Sequence, residues 1–230
     1  MRSIWRTLDA VLLRDVAAVA LGAAVTGASF GAISVGSGLP WWMPVLMSLV
    51  IFAGGSQFMA VGIVAAGGSP AAAVVAGLVL NARHLPFGLA IGDVLGRSPL
   101  ARIVGSHLLI DESTAFAMSQ KDPARARAAY WACGVSLFFC WNIGVLVGAL
   151  AGQAIGDPAT FGLDAAFPAA MLALTLPALK DAATRNAALT GAAIALATTP
   201  FLPAGVPVLL ALAGLLVFKK KEAPCPSPQS

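Results

Sequence analysis

Charge is scarce in this chain. Asp, Glu, Lys and Arg make up 10% of its 230 residues, against about 25% in an average soluble domain. A soluble fold needs more charge than this to cover its surface, whereas lipid is the solvent for most of the outer face of an integral membrane protein. Apolar residues make up 59% of the chain, and its mean hydropathy is +0.87. We therefore predict an all-α protein embedded in a lipid bilayer, with no room for a separate soluble domain.

Cysteine is also scarce, and its spacing supports neither a disulfide framework nor a metal site. Of the three cysteines, Cys133 and Cys140 would lie about 10 Å apart along one helix, which is too far for a disulfide. No Cys-x-x-Cys or Cys/His spacing indicates a metal, and we expect no metal and no other cofactor. The net charge of +4 comes from loops and termini, so it indicates membrane orientation rather than nucleic-acid binding.

Apolar residues form eight segments that are separated by Gly- and Pro-rich turns. The segments cover residues 16–38, 41–66, 70–92, 103–118, 129–151, 160–180, 185–200 and 205–218. A spanning helix needs roughly 20 apolar residues, so the shorter segments are candidates for half-helices. We predict a polytopic membrane protein with seven to eight transmembrane segments, some of them discontinuous or re-entrant. One transmembrane domain then covers 16–218, between a cytoplasmic lead at 1–15 and a disordered cytoplasmic tail at 219–230.

The distribution of Lys and Arg predicts the orientation of the chain. If the N-terminus is inside and every segment crosses once, eleven of these residues lie inside, and only Arg97 and Arg102 lie outside. Cytoplasmic loops carry an excess of Lys and Arg. Both termini are therefore expected in the cytoplasm, while Arg83 is left within the membrane.

Polar groups interrupt three of the apolar segments. They are Gly54-Gly55-Ser56-Gln57-Phe58, Asn81-Ala82-Arg83-His84 and Asp111-Glu112. Polar and charged groups are costly at bilayer depth, so they usually face partners or a polar cavity. The glycine pair and Pro86 also predict helix breaks, which are tolerated in a membrane where backbone is buried or lines a cavity. These features favour a shared cavity for a polar solute, lined by Ser56, Gln57, Asn81 and His84.

Each polar side chain in these segments has a candidate role. Gln57 offers donors and an acceptor, although Gly and Ser also serve close helix packing, as in Gly27-xxx-Gly31 of the first segment. Arg83 either holds a substrate carboxylate or forms a structural ion pair, and His84 titrates near neutral pH. Of Asp111 and Glu112, one is a partner for Arg83 and the other a proton site, unless both are solvated at the interface.

These motifs together resemble the AzlC family. The resemblance rests on Ser29-Phe30-Gly31, Phe52 to Phe58, Asn81-Ala82-Arg83-His84 and Asp111-Glu112, and it continues through Trp141 and Gly162-Leu163-Asp164-xx-Phe167-Pro168. Gly55 stands where a small alanine is common in the family, and Leu85-Pro86-Phe87 replaces other apolar residues. The family comprises large subunits of bacterial branched-chain amino acid exporters.

The resemblance implies a transporter of the cytoplasmic (inner) membrane that exports valine-like amino acids and works with a small AzlD-type membrane subunit. Beside it, the residues predict a substrate site of Ser56, Gln57, Phe58, Asn81, His84 and Phe30, with the phenylalanines against the apolar side chain. Coupling to protons, or an ion pair, is assigned to Arg83, Asp111 and Glu112. The expected mechanism is alternating access around the cavity.

Two other function classes stay open. Gly54-Gly55-Ser56 partly fits a Gly-x-Ser nucleophile turn, so an intramembrane hydrolase would use Ser56 with His84 as its base. This motif is too short to be specific, and we expect no enzyme. A channel, or a purely structural membrane subunit, is the other class, and passive flux without a coupling gradient would distinguish a channel from a transporter.

Overall fold

The computed structural model describes residues 9–155, 172, 175, 176 and 178–217, and these residues form helices without any strand. In chain order the helices are α1 (Ala10–Gly36), α2 (Trp42–Val50), α3 (Gly54–Ala65), α4 (Pro70–Asn81), α5 (His84–Leu95), α6 (Pro99–His107), α7 (Asp111–Met118), α8 (Pro123–Ile155), α9 (Ala182–Thr198) and α10 (Val206–Leu210). Short 3-10 helices cover Ala178–Lys180 and Ala211–Val217. The predicted all-α class is confirmed for this part of the chain.

Two of the described helices, α1 and α8, are long and apolar enough to cross a membrane. The consecutive helices α4 and α5 pass the same test as a pair bent by 48°. The described residues therefore contain two clear spans, or three if the bent pair is one span, and the larger number predicted from the sequence stays a prediction. Residues 1–8 of the predicted lead, most of the 160–180 segment, including Asp164 and Pro168, and the tail at 219–230 lie outside the described residues.

Three predicted segments, at 41–66, 70–92 and 103–118, are each divided into two helices. The divisions fall at residues 51–53, 82–83 and 108–110. The first two lie just ahead of the residues expected to break the helices, because Gly54 begins α3 and Pro86 lies in the first turn of α5. Proline is tolerated there, since the first N–H groups of a helix have no intrahelical acceptor. A predicted helix breaker thus marks the start of a new helix.

The helices α1 and α8 pack closely along their length through glycine. A Cβ atom at Gly27 or Gly31 would collide with the α8 backbone near Trp141 and Val145. In the other direction, Gly144 and Gly148 of α8 lie against backbone carbonyls of α1. Small residues at such contacts let membrane helices approach closely, so the packing predicted for the Gly27-xxx-Gly31 pattern is confirmed.

The same two helices run parallel. At their N-terminal ends, Arg125 Nη2 lies 2.7 Å from Asp9 Oδ2. Near their C-terminal ends, Gly152 of α8 packs against Ala32 of α1. The chain must therefore return from the far end of α1 to the start of α8, and α2 to α7 make that return.

Large apolar side chains cover the outer faces of the helices. Leu85 and Leu89 of α5 are 72% and 88% exposed, and Leu196 of α9 is 75% exposed. Lipid is the solvent in which such a surface is stable. The arrangement is that of a membrane protein, with its polar groups directed inward.

Candidate functional site

The starts of α3, α5 and α7 meet at one cavity of about 380 Å³. This volume lies within the roughly 300–1,000 Å³ typical of small-molecule sites. The wall consists of Phe52 to Gly55 and Phe58 from the α3 region, Arg83 and His84 at the start of α5, Ile110 to Glu112 at the start of α7, Leu137 and Trp141 of α8, and Val19, Gly22, Ala23 and Thr26 of α1. Each of the three helix divisions therefore places the start of a helix at the wall of this cavity.

The start of α3 has no side-chain cap. Its N-cap residue, Ala53, has no side-chain acceptor and forms no side-chain hydrogen bond to the first-turn N–H groups. The Ser56 hydroxyl lies in this first turn and donates to the Ala53 carbonyl at 2.9 Å. Gly54 and Gly55 present bare backbone to the cavity at this point. Such a helix start carries a partial positive charge.

The start of α7 is neutralised from within the chain. Asp111 and Glu112 lie in its first turn, where negative charge is favourable. Ser113 accepts a hydrogen bond from the Ile110 N–H at 3.1 Å and donates one to the Leu108 carbonyl at 2.9 Å. This helix start therefore has less need of an external anion than the start of α3.

An ion pair joins the starts of α5 and α7. Arg83 Nη1 lies 2.9 Å from Asp111 Oδ2, and both side chains are partly exposed to the cavity. Glu112 also lines the cavity but forms no ion pair among the described residues. One of the two adjacent acids thus compensates the arginine, and the other carboxylate has no ion-pair partner among the described residues.

His84 and the aromatic residues complete the wall. His84 lines the cavity, and its Nε2 atom is buried without a hydrogen-bond partner in the described residues. Phe58 lines it as well, with its ring centroid 5.1 Å from that of Phe30. Phe30 is fully buried and is not part of the wall, so it lies behind Phe58 and supports it.

Three polar residues expected in the wall lie outside it. Ser56 faces α4, since a Cβ at Gly77 would lie 3.7 Å from the Ser56 Cβ. Gln57 is 1% exposed, and among the described residues neither of its amide atoms has a partner, nor does Oδ1 of Asn81. For Ser56, helical periodicity explains the difference, because Gly54 and Phe58 share one face of α3 and Ser56 points away from it. Contact of Ser56, Gln57, Asn81 or Phe30 with a substrate stays a prediction.

Trp141 is a wall residue to which the sequence reasoning gave no role. It is 7% exposed, and its indole N–H has no acceptor in the described part of the chain. A tryptophan in the middle of an apolar span was the available signal, since a buried indole N–H usually has a partner. Nothing local indicated that this side chain would meet the start of α3.

The described residues contain no group of three or more His, Cys, Asp or Glu side chains close enough to hold a metal ion. The chemistry that the cavity offers is that of binding. It combines a carboxylate without an ion-pair partner, a compensated arginine, an imidazole, an uncapped helix start and an apolar wall. These groups are complementary to the ammonium, the carboxylate and the side chain of a small zwitterion with an apolar side chain.

Comparisons with known proteins match the part of the chain that contains this cavity. A family model described as AzlC protein matches residues 18–155, a range that contains every wall residue. The branched-chain amino acid transport protein AzlC of Bacillus subtilis is 26% identical over 203 residues, covering 85% of this chain and 78% of the relative. An uncharacterized membrane protein of Helicobacter pylori is 25% identical over 209 residues, covering 88% and 91%. Another from Haemophilus influenzae is 27% identical over 135 residues, covering 56% and 54%. No solved structure matches the chain.

Proposed function

The chain belongs to the AzlC family, and on that premise we propose that it is a secondary transporter that exports branched-chain amino acids. The similar protein of Bacillus subtilis is a branched-chain amino acid transport protein. The observation that carries the proposal is the cavity at the three helix starts. Discontinuous helices whose ends face a solute at mid-membrane are a recurring feature of secondary transporters.

The cavity suits a valine-like substrate because its wall contains both charged and apolar residues. Charged groups and helix starts line one part of the wall, and Val19, Ala23, Leu137 and Phe58 line another. An aliphatic side chain would pack on these apolar residues. The substrate's ammonium and carboxylate groups would bind to the charged groups and helix starts of the wall.

We propose that Glu112 carries the proton that drives export. A partly buried carboxylate without an ion pair is a suitable site for reversible protonation in a membrane. Arg83 and His84 at the start of α5 and Asp111 of α7 share the cavity wall with it, and Cys133 of α8 lies nearby. Asp111 already compensates Arg83, so its charge is needed for the pair, while that of Glu112 is free to change.

The membrane arrangement proposed is seven to eight segments in the cytoplasmic (inner) membrane, with both termini in the cytoplasm. The parallel course of α1 and α8 is consistent with it, because both would leave the cytoplasmic side. The excess of Lys and Arg in the loops assigned to the inside supports the same orientation. Alternating access would move the helix starts of the cavity relative to the α1–α8 pair.

A small AzlD-type membrane subunit is the proposed partner. The exposed apolar faces of α5 and α9 leave room for a second membrane protein in place of lipid. We assign no contact surface to it. Its presence is a variable that the transport assay should control.

The hydrolase alternative has little support from the geometry. The Ser56 hydroxyl donates to its own helix start and is not bonded to His84. Membership of a transport-protein family also favours transport over catalysis. A channel is distinguished by experiment, since it would conduct without an exchange partner.

Counterflow in liposomes tests the proposal. Purified protein, with and without the co-expressed small subunit, is reconstituted into vesicles loaded with unlabelled valine, and uptake of labelled valine is measured. A transporter accumulates label transiently above equilibrium, whereas a channel only equilibrates it. Competition by leucine and isoleucine but not by lysine is expected. Absence of counterflow in both preparations would reject the function.

A further inference from the structure

We propose that two helix pairs enter the membrane from opposite faces, turn at the cavity and leave by the face they entered. The outer hairpin is α2–α3 and the inner hairpin is α6–α7, and their tips are residues 51–53 and 108–110. Each tip closes the cavity toward one face, so the hairpins are the two gates of the transport path. The gating role rests on the proposed transport, whereas the course of the hairpins does not.

The inner hairpin begins and ends beside the start of α8. A Cβ atom at Gly96, which shortly precedes α6, would collide with the guanidinium of Arg127. After α7, Gln120 Oε1 accepts a hydrogen bond from Arg125 Nε at 3.2 Å. Arg125 also pairs with Asp9 at the start of α1. Both ends of this hairpin therefore lie at the membrane face from which α1 and α8 start.

The tip of the inner hairpin lies further along α8. The Gly105 carbonyl of α6 accepts a hydrogen bond from the Tyr130 hydroxyl at 2.6 Å. A Cβ atom at Gly134, about one turn later in α8, would lie 3.1 Å from the Cβ of Leu108 in the tip and 3.7 Å from the Cβ of Ser113 in α7. The end of α6 and the start of α7 thus share one depth, so α6 runs inward and α7 runs back.

The outer hairpin begins at the opposite face. The helix α2 follows α1 after residues 37–41, at the end of α1 where Ala32 packs against Gly152 of α8. Near the end of α2, the Ser48 hydroxyl donates to Asn142 Oδ1 at 2.7 Å. Because Asn142 precedes Gly152 on α8, α2 runs from this outer face toward the middle of α8.

The course of α3 follows from that of α4 and α5. The helix α5 runs from His84 at the cavity to Gly96 at the inner face. The axes of α4 and α5 differ by only 48°, so α4 runs in the same general direction and begins at the outer face. Ser56 near the start of α3 lies beside Gly77 near the end of α4, so these two helices are antiparallel. The helix α3 therefore returns to the outer face, where the turn at 66–69 joins it to α4.

The two tips meet at the cavity. The ring centroids of Phe52 in the outer tip and His107 beside the inner tip are 6.3 Å apart, and the ring of Phe138 in α8 packs on both. Phe52 and Ile110 are buried and belong to the cavity wall. Non-helical backbone at membrane depth is tolerated where it is buried in protein or lines a cavity. Each hairpin fills the space between the cavity and one face, so displacement of its tip opens the cavity to that face alone.

The hairpins also improve the agreement with the positive-inside rule. An arrangement in which every segment crosses the membrane leaves Arg97 and Arg102 outside. With the two hairpins, and the other segments crossing as predicted from the sequence, every Lys and Arg except Arg83 lies inside. The outer loops at 37–41 and 66–69 contain neither residue type. Because cytoplasmic loops carry an excess of Lys and Arg, this arrangement is favoured, and both termini stay in the cytoplasm.

Two serines distinguish the hairpins from an arrangement in which every segment crosses. Ser69 and Ser98 are exposed N-cap residues, each followed by proline, at the starts of α4 and α6. The hairpins place Ser69 outside and Ser98 inside, and the alternative reverses both. Ser69→Cys and Ser98→Cys are made in a chain whose three cysteines are replaced by alanine. A membrane-impermeant maleimide then labels intact cells and inside-out vesicles.

Ser37→Cys and Lys121→Cys are the controls, because both arrangements place position 37 outside and position 121 inside. Ser69→Cys should be labelled in intact cells, like Ser37→Cys. Ser98→Cys should be labelled in inside-out vesicles and not in cells, like Lys121→Cys. Any other pattern would overturn the hairpins, whether or not the protein transports valine.

Crosslinking tests the gating role. Ser48→Cys with Asn142→Cys joins the outer hairpin to α8, and His107→Cys with Phe138→Cys joins the inner one. The members of each pair contact each other, and none of the four lies in the cavity wall. A short bifunctional thiol reagent that a reductant removes connects each pair. Either crosslink should reduce valine counterflow to background, and the reductant should restore it.

Val35→Cys with Gly152→Cys is the matched control, since a Cβ atom at Gly152 would lie 3.4 Å from that of Val35. This crosslink joins α1 to α8, which stay together during alternating access, so it should leave counterflow unchanged. A hairpin is not a gate if counterflow survives its crosslink or if its pair does not crosslink. Absence of valine counterflow in every preparation rejects transport and the gates with it, while the labelling pattern decides the course of the hairpins independently.

Discussion

At the residue scale, Arg83, Asp111 and Glu112 occupy one part of the cavity wall but differ in charge compensation. Arg83 and Asp111 form an ion pair, whereas Glu112 has no cationic partner among the described residues. Removing one member of a buried ion pair leaves the other uncompensated. Changing Glu112 leaves the Arg83–Asp111 pair in place.

This difference predicts separate effects for two conservative substitutions. Glu112→Gln should reduce valine flux driven by a pH gradient in vesicles to background, because the amide cannot exchange a proton. Asp111→Asn should lower thermal stability, by between about 1 kcal/mol for an exposed pair and 3 kcal/mol for a buried one. Its residual flux should still respond to the pH gradient. Normal pH-driven flux in Glu112→Gln vesicles would remove Glu112 from the coupling role.

At the element scale, contacts between backbones hold α1 against α8. Gly144 and Gly148 lie against the carbonyls of Ala24 and Ala28. Without a hydrophobic driving force between helices in lipid, close van der Waals packing is a main source of association. Since α1 and α8 also supply part of the cavity wall, their separation sets the shape of the site.

We therefore expect Gly148→Ala to destabilise the protein. The new methyl group would collide with the Ala28 carbonyl, and backbone cannot move aside as a side chain can. Overpacking of this kind costs about 1–3 kcal/mol. The control is Gly22→Ala in α1, where nothing lies within 4 Å of the added atom. In detergent, Tm should fall by several degrees for the first and hold or rise for the second, and equal values would contradict the packing argument.

At the scale of the whole molecule, Asp9 and Arg125 join the start of α1 to the start of α8. The Asp9 carboxylate accepts a hydrogen bond from the Leu12 N–H at 2.8 Å and one from Arg125 at 2.7 Å. The backbone hydrogen bond from Leu12, followed by the one from Arg125, lowers the pKa of Asp9 below its usual value. The pair thus fixes the parallel alignment of the two long helices outside the apolar core.

The lowered pKa has a defined consequence for stability. A carboxyl group whose pKa is lower in the folded state stabilises that state above its unfolded pKa, near 3.9 for Asp. This stabilisation is lost as the pH falls further, through the lowered folded value. Asp9→Asn keeps a side chain able to cap α1 but removes the charge opposite Arg125. It should lower Tm slightly at pH 6, and the difference should shrink as the pH falls below the unfolded pKa of about 3.9 and through the lowered folded value. A difference that does not change with pH over this range would show that the charge is not its cause.

Much of the architecture follows from local properties of the sequence. Composition predicts the membrane, and the small-xxx-small pattern at Gly27 and Gly31 predicts close packing. Glycine and proline predict where helices are interrupted, to within a few residues, because their effects act on neighbouring backbone. The polar motifs predicted the three segments whose helix starts line the cavity, two of which supply its charged groups. These properties act between residues close in the chain, so they can be predicted from the sequence before the fold is known.

Tertiary packing decided which side chains face the cavity and which pairs they form. It selected Asp111 rather than Glu112 as the partner of Arg83. It turned Ser56 toward α4 and brought Trp141 against Gly54, 87 positions earlier in the chain. These outcomes depend on the rotation and separation of helices distant in sequence, which neither composition nor periodicity encodes. A binding site built from the starts of separate helices exists only once those helices are packed.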